Sequence, residues 1–391
     1  MSELISAEEL KDKLDAREDF YLLDTRPESD FEEWHIRGAI NFPYEKGEGL
    51  ATNKIDILHE EIGIDGEDEV ITVCAKGITS ADLTEELMDN GFRNVKTLEN
   101  GMRAWSGVYD MVPIATSDDD IVIVQLQRRA KGCLGYIVGS KEAGEAAAFD
   151  VSQYTGEFVK AARELGMKIT RVFDTHIHAD HISGGRQLAQ ELSVPYHLGS
   201  EAVERSPGFD FVPAKKNEVF SLGSLGIKAV HTPGHTTEMT SWLVGNEALI
   251  SGDSLFVDSI GRTELEFEEE AGKGASLQYR SLLEKVLVLP DSIKILPGHF
   301  NVSKAGKDGG ITSGTPIFST IGYLRRNNKA LQMEEEEFIE FMHENLPSKP
   351  PNYDEIIGLN LGKLDEISED EAIELELGPN RCAASEDSMV E

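Results

Sequence analysis

Apolar residues in this chain come in short runs whose period changes along its length. At 6–14 they recur every three to four residues, as on one face of a helix, while 20–24 is a compact apolar run of the kind that forms a buried strand. A loop and helix over 26–34, strands over 39–42 and 69–73, and a helix over 80–90 follow. Strands alternating with helices predict a parallel sheet of the α/β class. Residues 111–120 hold a proline, a serine and three successive aspartates, and read as a linker. Beyond it the strands crowd together: 121–126 and 135–138 as a pair, then 172–174, 226–231, 242–244, 248–250 and 293–296, with helices between several of them. The predicted organisation is an α/β domain over 1–110, the linker over 111–120, a strand-rich layered α/β domain over 121–346 and an acidic, extended arm over 347–391 with one or two short elements. The glycine-rich stretches 271–274 and 305–314 lack phosphate-loop spacing and read as surface loops near a pocket.

Composition narrows the partners. Lysine and arginine number 37 against 72 acidic side chains, a formal charge of -35 that repels phosphate backbones and anionic lipid surfaces. Neither nucleic acid nor membrane is therefore an expected partner. The acid excess is spread along the chain, which suits either a salty cytoplasm, as in a halophile, or an ordinary acidic soluble protein. Cys74, Cys133 and Cys382 lie far apart and make no disulfide framework, so a reducing compartment follows. No basic region leads into an apolar core at the N-terminus, and no run approaches the roughly 18 apolar residues of a membrane span. A soluble cytoplasmic protein is expected, with self-association into a homo-oligomer left open.

Two places carry chemistry. Cys74 ends an apolar run and opens the segment Cys74-Ala75-Lys76-Gly77-Ile78-Thr79-Ser80 ahead of a predicted helix. Backbone N–H groups and the positive end of that helix converge there and stabilise a negative sulfur or persulfide. A buried structural cysteine is the plain alternative. The second place is His176-Ile177-His178-Ala179-Asp180-His181, followed far downstream by His235 in T-P-G-H-T, Asp253 in S-G-D-S-L and His299 in L-P-G-H. Strand ends that deliver imidazoles and carboxylates together suit zinc, manganese or iron, whereas calcium would ask for oxygen throughout. His35, His59, His197, His231 and His343 have no such neighbours in sequence and read as ordinary surface or core residues.

Four motifs in order, Asp24-Thr25-Arg26-Pro27, Trp34 to Asn41, the Cys74 loop, and Gly91-Phe92 through Trp105, resemble a single rhodanese domain over about the first 110 residues. The resemblance implies sulfur transfer through a Cys74 persulfide, with Lys76, Gly77, Thr79 and Ser80 lining the sulfur. From about 120 to 346 the histidine and aspartate motifs resemble the metallo-β-lactamase superfamily, which implies an αββα sandwich. Two branches of it fit. In a branch like glyoxalase II, all seven side chains hold two metals, two zinc for example, and a hydroxide attacks an acyl-thiol thioester. In the persulfide dioxygenase branch, His176, His235 and Asp253 hold one Fe(II) per chain, and His178, Asp180, His181 and His299 keep ligands and waters in place from outside.

Gly261-Arg262-Thr263-Glu264 resembles the G-R-T-D stretch of persulfide dioxygenases, with Arg262 set to meet an anionic thiol carrier. The tail, 349–360 and 377–383, is similar to that of fused lactamase-fold and rhodanese proteins. The expected activity is oxidation of a low-molecular-weight thiol persulfide by O2 to sulfite and thiol, joined to rhodanese transfer that can yield thiosulfate. A thioester hydrolase and a non-catalytic sulfur carrier are the alternatives. Cys133 and Cys382 are expected to be inert thiols, Cys382 becoming a relay if the tail folds over a site.

Overall fold

The computed structural model describes residues 3–267, 271–302, 314–346, 349, 352–380 and 382–383. The chain divides into two compact units. One holds residues up to 108 with 128–131 and 377–379, and the other holds 109–127, 132–376 and 380 onward.

The first unit is built on five parallel strands, β1 (Glu3–Ile5), β2 (Tyr21–Asp24), β3 (Ala39–Asn41), β4 (Glu69–Val73) and β5 (Asn94–Leu98), in the order β1-β5-β4-β2-β3. Helices cover both faces, so strand residues of either parity are apolar. Leu22, Ile71 and Val73 pack on one side, and Leu23, Val70 and Val95 on the other. The helix Ala7–Ala16 starts where the sequence places it because Ser6 and Glu9 form a reciprocal capping box.

The second unit stacks two sheets. The first contains β6 (Tyr109–Ile114), β7 (Ile121–Arg128), β8 (Leu134–Ser140), β9 (Glu145–Phe149), β10 (Lys168–Phe173), β11 (Tyr196–Gly199) and β12 (Val212–Ala214). The second contains β13 (Val219–Leu222), β14 (Leu225–His231), β15 (Thr240–Val244), β16 (Ala248–Gly252), β17 (Lys294–Pro297) and β18 (Ser319–Thr320). Tyr136, Phe149 and Phe173 meet Phe220, Trp242 and Leu296 between the sheets. The helices Thr155–Glu164 and Gly185–Leu192 cover the outside of one sheet. Ala271–Ser281, Ile321–Asn327 and Glu335–Glu344 cover the outside of the other, giving the expected αββα layering. Among the described residues, no helix is long and apolar enough to cross a membrane.

Three sequence expectations are corrected. The first half of the supposed linker is the edge strand β6, which buries Val112 and Ile114 and leaves Pro113 exposed, where a missing N–H interrupts no inner ladder. Residues 271–274 are helical and not a surface loop. A Cβ on Gly274 would lie 2.3 Å from the Thr263 carbonyl oxygen, so this glycine serves close approach. Of the stretch 305–314, all but Gly314 lies outside the described residues. The acidic arm is not extended over its described part: it carries the helices Tyr353–Asn360 and Glu369–Leu375. Tyr353, Ile356, Ile357 and Leu361 recur at helical spacing within the acidic composition, and Ile357 and Leu361 join the core under the first sheet. Pro350, Pro351 and Arg381 lie outside the described residues.

Candidate metal centre and sulfur loop

In the first unit, β4 runs straight into Cys74, which is buried, and the helix Ile78–Asp89 starts four residues later. Gly77 takes a positive φ of 78° at the turn between them. The loop is held from outside: the Cys74 carbonyl accepts from Met102 N at 2.9 Å, and that of Ala75 from Arg103 N at 3.2 Å. Ser80 Oγ donates to Cys74 Sγ at 3.3 Å, Thr79 is half-buried and Lys76 is exposed. The other motifs interlock beside it. Asp24 and Arg26 form a buried ion pair at 2.7 Å, Arg26 also donates to the Trp34 carbonyl, and the Asn41 amide donates to the Asp24 and Arg26 carbonyls.

In the second unit, the ligand-type side chains leave the C-terminal ends of strands. His176 to His181 follow β10, His235 lies between β14 and β15, Asp253 follows β16 and His299 follows β17. All are buried. Asp253 Oδ2 stands 3.7 Å from His235 Nε2 and 3.9 Å from His176 Nε2, and these three residues can offer atoms to one ion.

Their tautomers follow from their partners. His235 Nδ1 lies 2.7 Å from the Arg262 carbonyl, which can only accept, so the proton is on Nδ1. Thr175 spends its hydroxyl proton on Asp150, so its oxygen accepts from His176 Nδ1 at 2.9 Å. Both Nε2 lone pairs therefore point inward. Within the protein, His176 Nε2 and Asp253 Oδ2 are buried without a hydrogen-bond partner, an expense that a bound metal cation removes. The donor set thus fits a transition metal.

The remaining four side chains of the sequence constellation adjoin this set but have further partners of their own. His178 Nε2 is 3.3 Å from Asp150 and groups with Asp150 and Asp174. Asp180 pairs with His181 Nδ1 and His299 Nε2, both at 3.0 Å, and His299 Nδ1 reaches Asp253 Oδ1 at 2.7 Å. Electrostatics follow this division. Burial alone would raise the Asp253 carboxyl, but His299, His176 and His235 hold it below the usual carboxylate range. Burial, reinforced by His178, pushes His176 below the usual imidazole range and keeps its ring neutral. Burial works against a charge on His299, yet Asp180 and Asp253 hold its pKa up.

Several groups near the centre have no motif to announce them. Asn360, on the tail helix Tyr353–Asn360, donates to the carbonyls of His178 and His181 at 2.8 Å each and accepts from Ser183 N at 2.9 Å. Glu376, also buried, accepts from Ile182 N at 2.6 Å. A Cβ on Gly298 would fall 2.4 Å from Asp253 Oδ1, which explains the glycine of L-P-G-H. Cys133 is no bystander: it is buried 3.7 Å from both Asp180 Oδ2 and His181 Nδ1. The tail brings Cys382 beside Asp253 and His299, the condition set for a relay.

A small pocket opens at His235, lined by Ile177, Ala179, Leu265, Tyr353, Arg205 and Glu266 among others. Arg205 Nη1 lies 3.1 Å from the buried Glu238 and 3.3 Å from Glu266. Arg262, expected to face a carrier, is instead buried, with its guanidinium on Glu264, and it contributes its carbonyl to His235. Arg262 pairs with Glu264 two residues along the chain, which the sequence motif alone does not reveal.

Residues 6–107 match the rhodanese-like domain, and residues 142–299 match the metallo-beta-lactamase superfamily. Over 248 residues the chain is 28% identical to the mitochondrial persulfide dioxygenase ETHE1 of Mus musculus, which covers 61% of this chain and 88% of that protein. It is 30% identical over 166 residues to the hydroxyacylglutathione hydrolase of Rhodopseudomonas palustris, spanning 42% of this chain and 61% of the hydrolase. Among solved structures, a metallo-beta-lactamase from Staphylococcus aureus superposes with a TM-score of 0.57 at 27% identity, covering 64% of this chain and 75% of the other. The chain therefore joins a rhodanese-like domain to a domain of the metallo-beta-lactamase superfamily.

Proposed function

We propose that this protein oxidises a low-molecular-weight thiol persulfide with O2 at a single ferrous ion and transfers sulfane sulfur through Cys74. The observation that carries this is the separation of donors. His176, His235 and Asp253 form a two-histidine, one-carboxylate set of their own, while His178 groups with Asp150 and Asp174, and His181 and His299 group with Asp180 and Cys133. The match to the persulfide dioxygenase also runs over more of both chains than the match to the hydrolase.

Bound by that set, iron supplies the redox chemistry that couples O2 to a reduced sulfur. The chain's own residues do the rest. The Arg262 carbonyl and Thr175 fix the ring orientations of His235 and His176, as outer partners of metal-binding histidines commonly do. His299 holds Asp253 Oδ1 through its Nδ1, with Asp180 beside its other nitrogen. The pocket at His235 offers the apolar walls Ile177, Ala179, Leu265 and Ile357 to the carrier's stem. One persulfide, one O2 and one water give one thiol, one sulfite and two protons. In the other unit, the Cys74 sulfur attacks a sulfane sulfur, the donor thiolate leaves, and the resulting persulfide passes its outer sulfur to sulfite as thiosulfate or onward toward oxidation. Lys76, Gly77, Thr79 and Ser80 surround that sulfur.

The test is a metal count on protein purified under nitrogen, paired with oxygen uptake on a low-molecular-weight persulfide. One iron per chain with uptake is expected. Two zinc per chain with fast thioester cleavage would establish the hydrolase instead, and absence of any turnover would leave a sulfur carrier.

A further inference from the structure

We propose that Thr97 is a positioning residue for the Cys74 sulfur, acting through Ser80; this rests on Cys74 being the sulfur-carrying group. Ser80 Oγ donates to Cys74 Sγ at 3.3 Å, and Thr97 Oγ1 donates to Ser80 Oγ at 2.7 Å. The three come from different parts of the chain: Cys74 directly follows β4, Ser80 lies in the first turn of the helix Ile78–Asp89, and Thr97 sits on β5. Ser80 and Thr97 are both 0% exposed, so water supplies neither hydroxyl with a substitute partner.

Proton counting sets the direction of the relay. A hydroxyl has one proton to give. Thr97 has two acceptors in reach, Ser80 Oγ at 2.7 Å and the Thr72 carbonyl at 3.4 Å, and the shorter contact takes the proton. Ser80 then cannot donate back to Thr97, and its own proton is directed to the sulfur. The other nearby hydroxyl does not compete, because Thr72 Oγ1 is engaged by the Ser80 carbonyl at 2.9 Å and by Thr84 Oγ1 at 2.8 Å. Consecutive hydrogen bonds polarise one another in a water-free interior, so the relay strengthens as negative charge gathers on Cys74. Without Thr97, the Ser80 hydroxyl in a first helical turn is free to rotate toward a backbone carbonyl, as helical serines do.

In the step this supports, the Cys74 thiolate attacks the outer sulfur of a low-molecular-weight persulfide. The donor S–S bond breaks, its sulfur leaves as a thiol carrying the persulfide's proton, and Cys74 carries a persulfide anion. Sulfane sulfur and charge are only exchanged, so no external oxidant is needed. The Ser80 proton remains hydrogen-bonded to Cys74 Sγ throughout.

The experiment uses the full chain loaded with cysteine persulfide, following retention of the extra sulfur on the Cys74 peptide by mass spectrometry. Thr97→Val should lose that sulfur about tenfold faster than the native chain, the order expected for one hydrogen bond to a charged group. Thr97→Ser should restore the native lifetime, which a packing role for the threonine methyl would not allow. Native retention in Thr97→Val alongside rapid loss in Ser80→Ala would overturn the relay, and so would a Thr97→Ser chain as defective as Thr97→Val. Should Thr97→Val not fold, Thr97→Ala takes its place. Should native Cys74 take up no sulfur, the sulfur-transfer reading fails by itself. The relay is then judged by the rate of Cys74 alkylation with iodoacetamide at fixed pH, expected about tenfold slower in the variant, with equal rates overturning it.

Discussion

The sulfur loop and the metal centre solve the same problem, holding a reactive group at a strand end, by opposite means. The Cys74 loop is one stretch, 74–80, between a strand and a helix start, and its supports come from the nearby segment 97–103. The metal centre draws on loops after β10, β14, β16 and β17, and the tail helix Tyr353–Asn360 pins the first of those loops from about 180 residues away. A site assembled from distant segments inherits every weakness of their packing, and its supports are spread as widely as its donors.

Cutting one donor should separate the two chemistries completely. Asp253→Ala is expected to bring metal content to background and persulfide-dependent oxygen uptake down by at least about a thousandfold. The Cys74 peptide should take up sulfur as before, and Cys74→Ser should give the mirror image. Residual uptake in Asp253→Ala, measured with an oxygen electrode, would mean that the centre lies elsewhere.

Acid should weaken the metal-binding unit first. Burial holds His197 down at about 4, against about 6.5 for an unfolded histidine. Its folded pKa is depressed, so between those values the unfolded chain binds the proton and the native chain does not. The contribution is therefore fully present above about pH 6.5 and is lost as pH falls toward 4, about 3 kcal/mol in all. His197→Phe, which keeps the stacking on Phe173, should flatten that part of the pH dependence in urea unfolding curves. An unchanged slope would remove His197 as its source.

The tail should matter to one centre alone. Asn360→Ala is expected to weaken metal affinity about 10- to 100-fold in chelator competition, by releasing the carbonyls of His178 and His181. Persulfide loading of Cys74 should not move, and equal metal affinity would reduce Asn360 to a packing residue. The smallest effect lies at the other end of the chain. Ser6→Ala removes the capping box of the helix Ala7–Ala16 and should cost about 1 kcal/mol in the unfolding of that unit, with metal content unchanged.

Legibility followed the same division. D-T-R-P, the W-H-I-R-G-A-I-N stretch and the Cys74 loop are readable because Asp24, Arg26, Trp34 and Asn41 are one another's partners over short spans of sequence. Thr97 escaped notice because its partner Ser80 is reached only across β5 and a helix. The metal motifs announced their donors, yet nothing in H-x-H-x-D-H says that His178 turns to Asp150 while His176 turns to Asp253. Arg205, Glu238 and Cys133 sit in stretches with no special spacing, and the tail resemblance that includes Asn360 gave it no partner, which only the contacts with the His178 and His181 carbonyls supply.

The chain's order of residues was enough to determine two α/β domains, the elements that carry each motif, and the kinds of side chain brought to the strand ends. It could do so because helix and strand periods, caps and turns are written within a few residues. Which donors face one another, and which are already satisfied by a carboxylate or a carbonyl, was decided only by the tertiary structure. Those distances depend on the register and stacking of two sheets whose strands lie more than a hundred residues apart, and the free energy that sets them comes from the shared core around Phe149, Phe173 and Trp242.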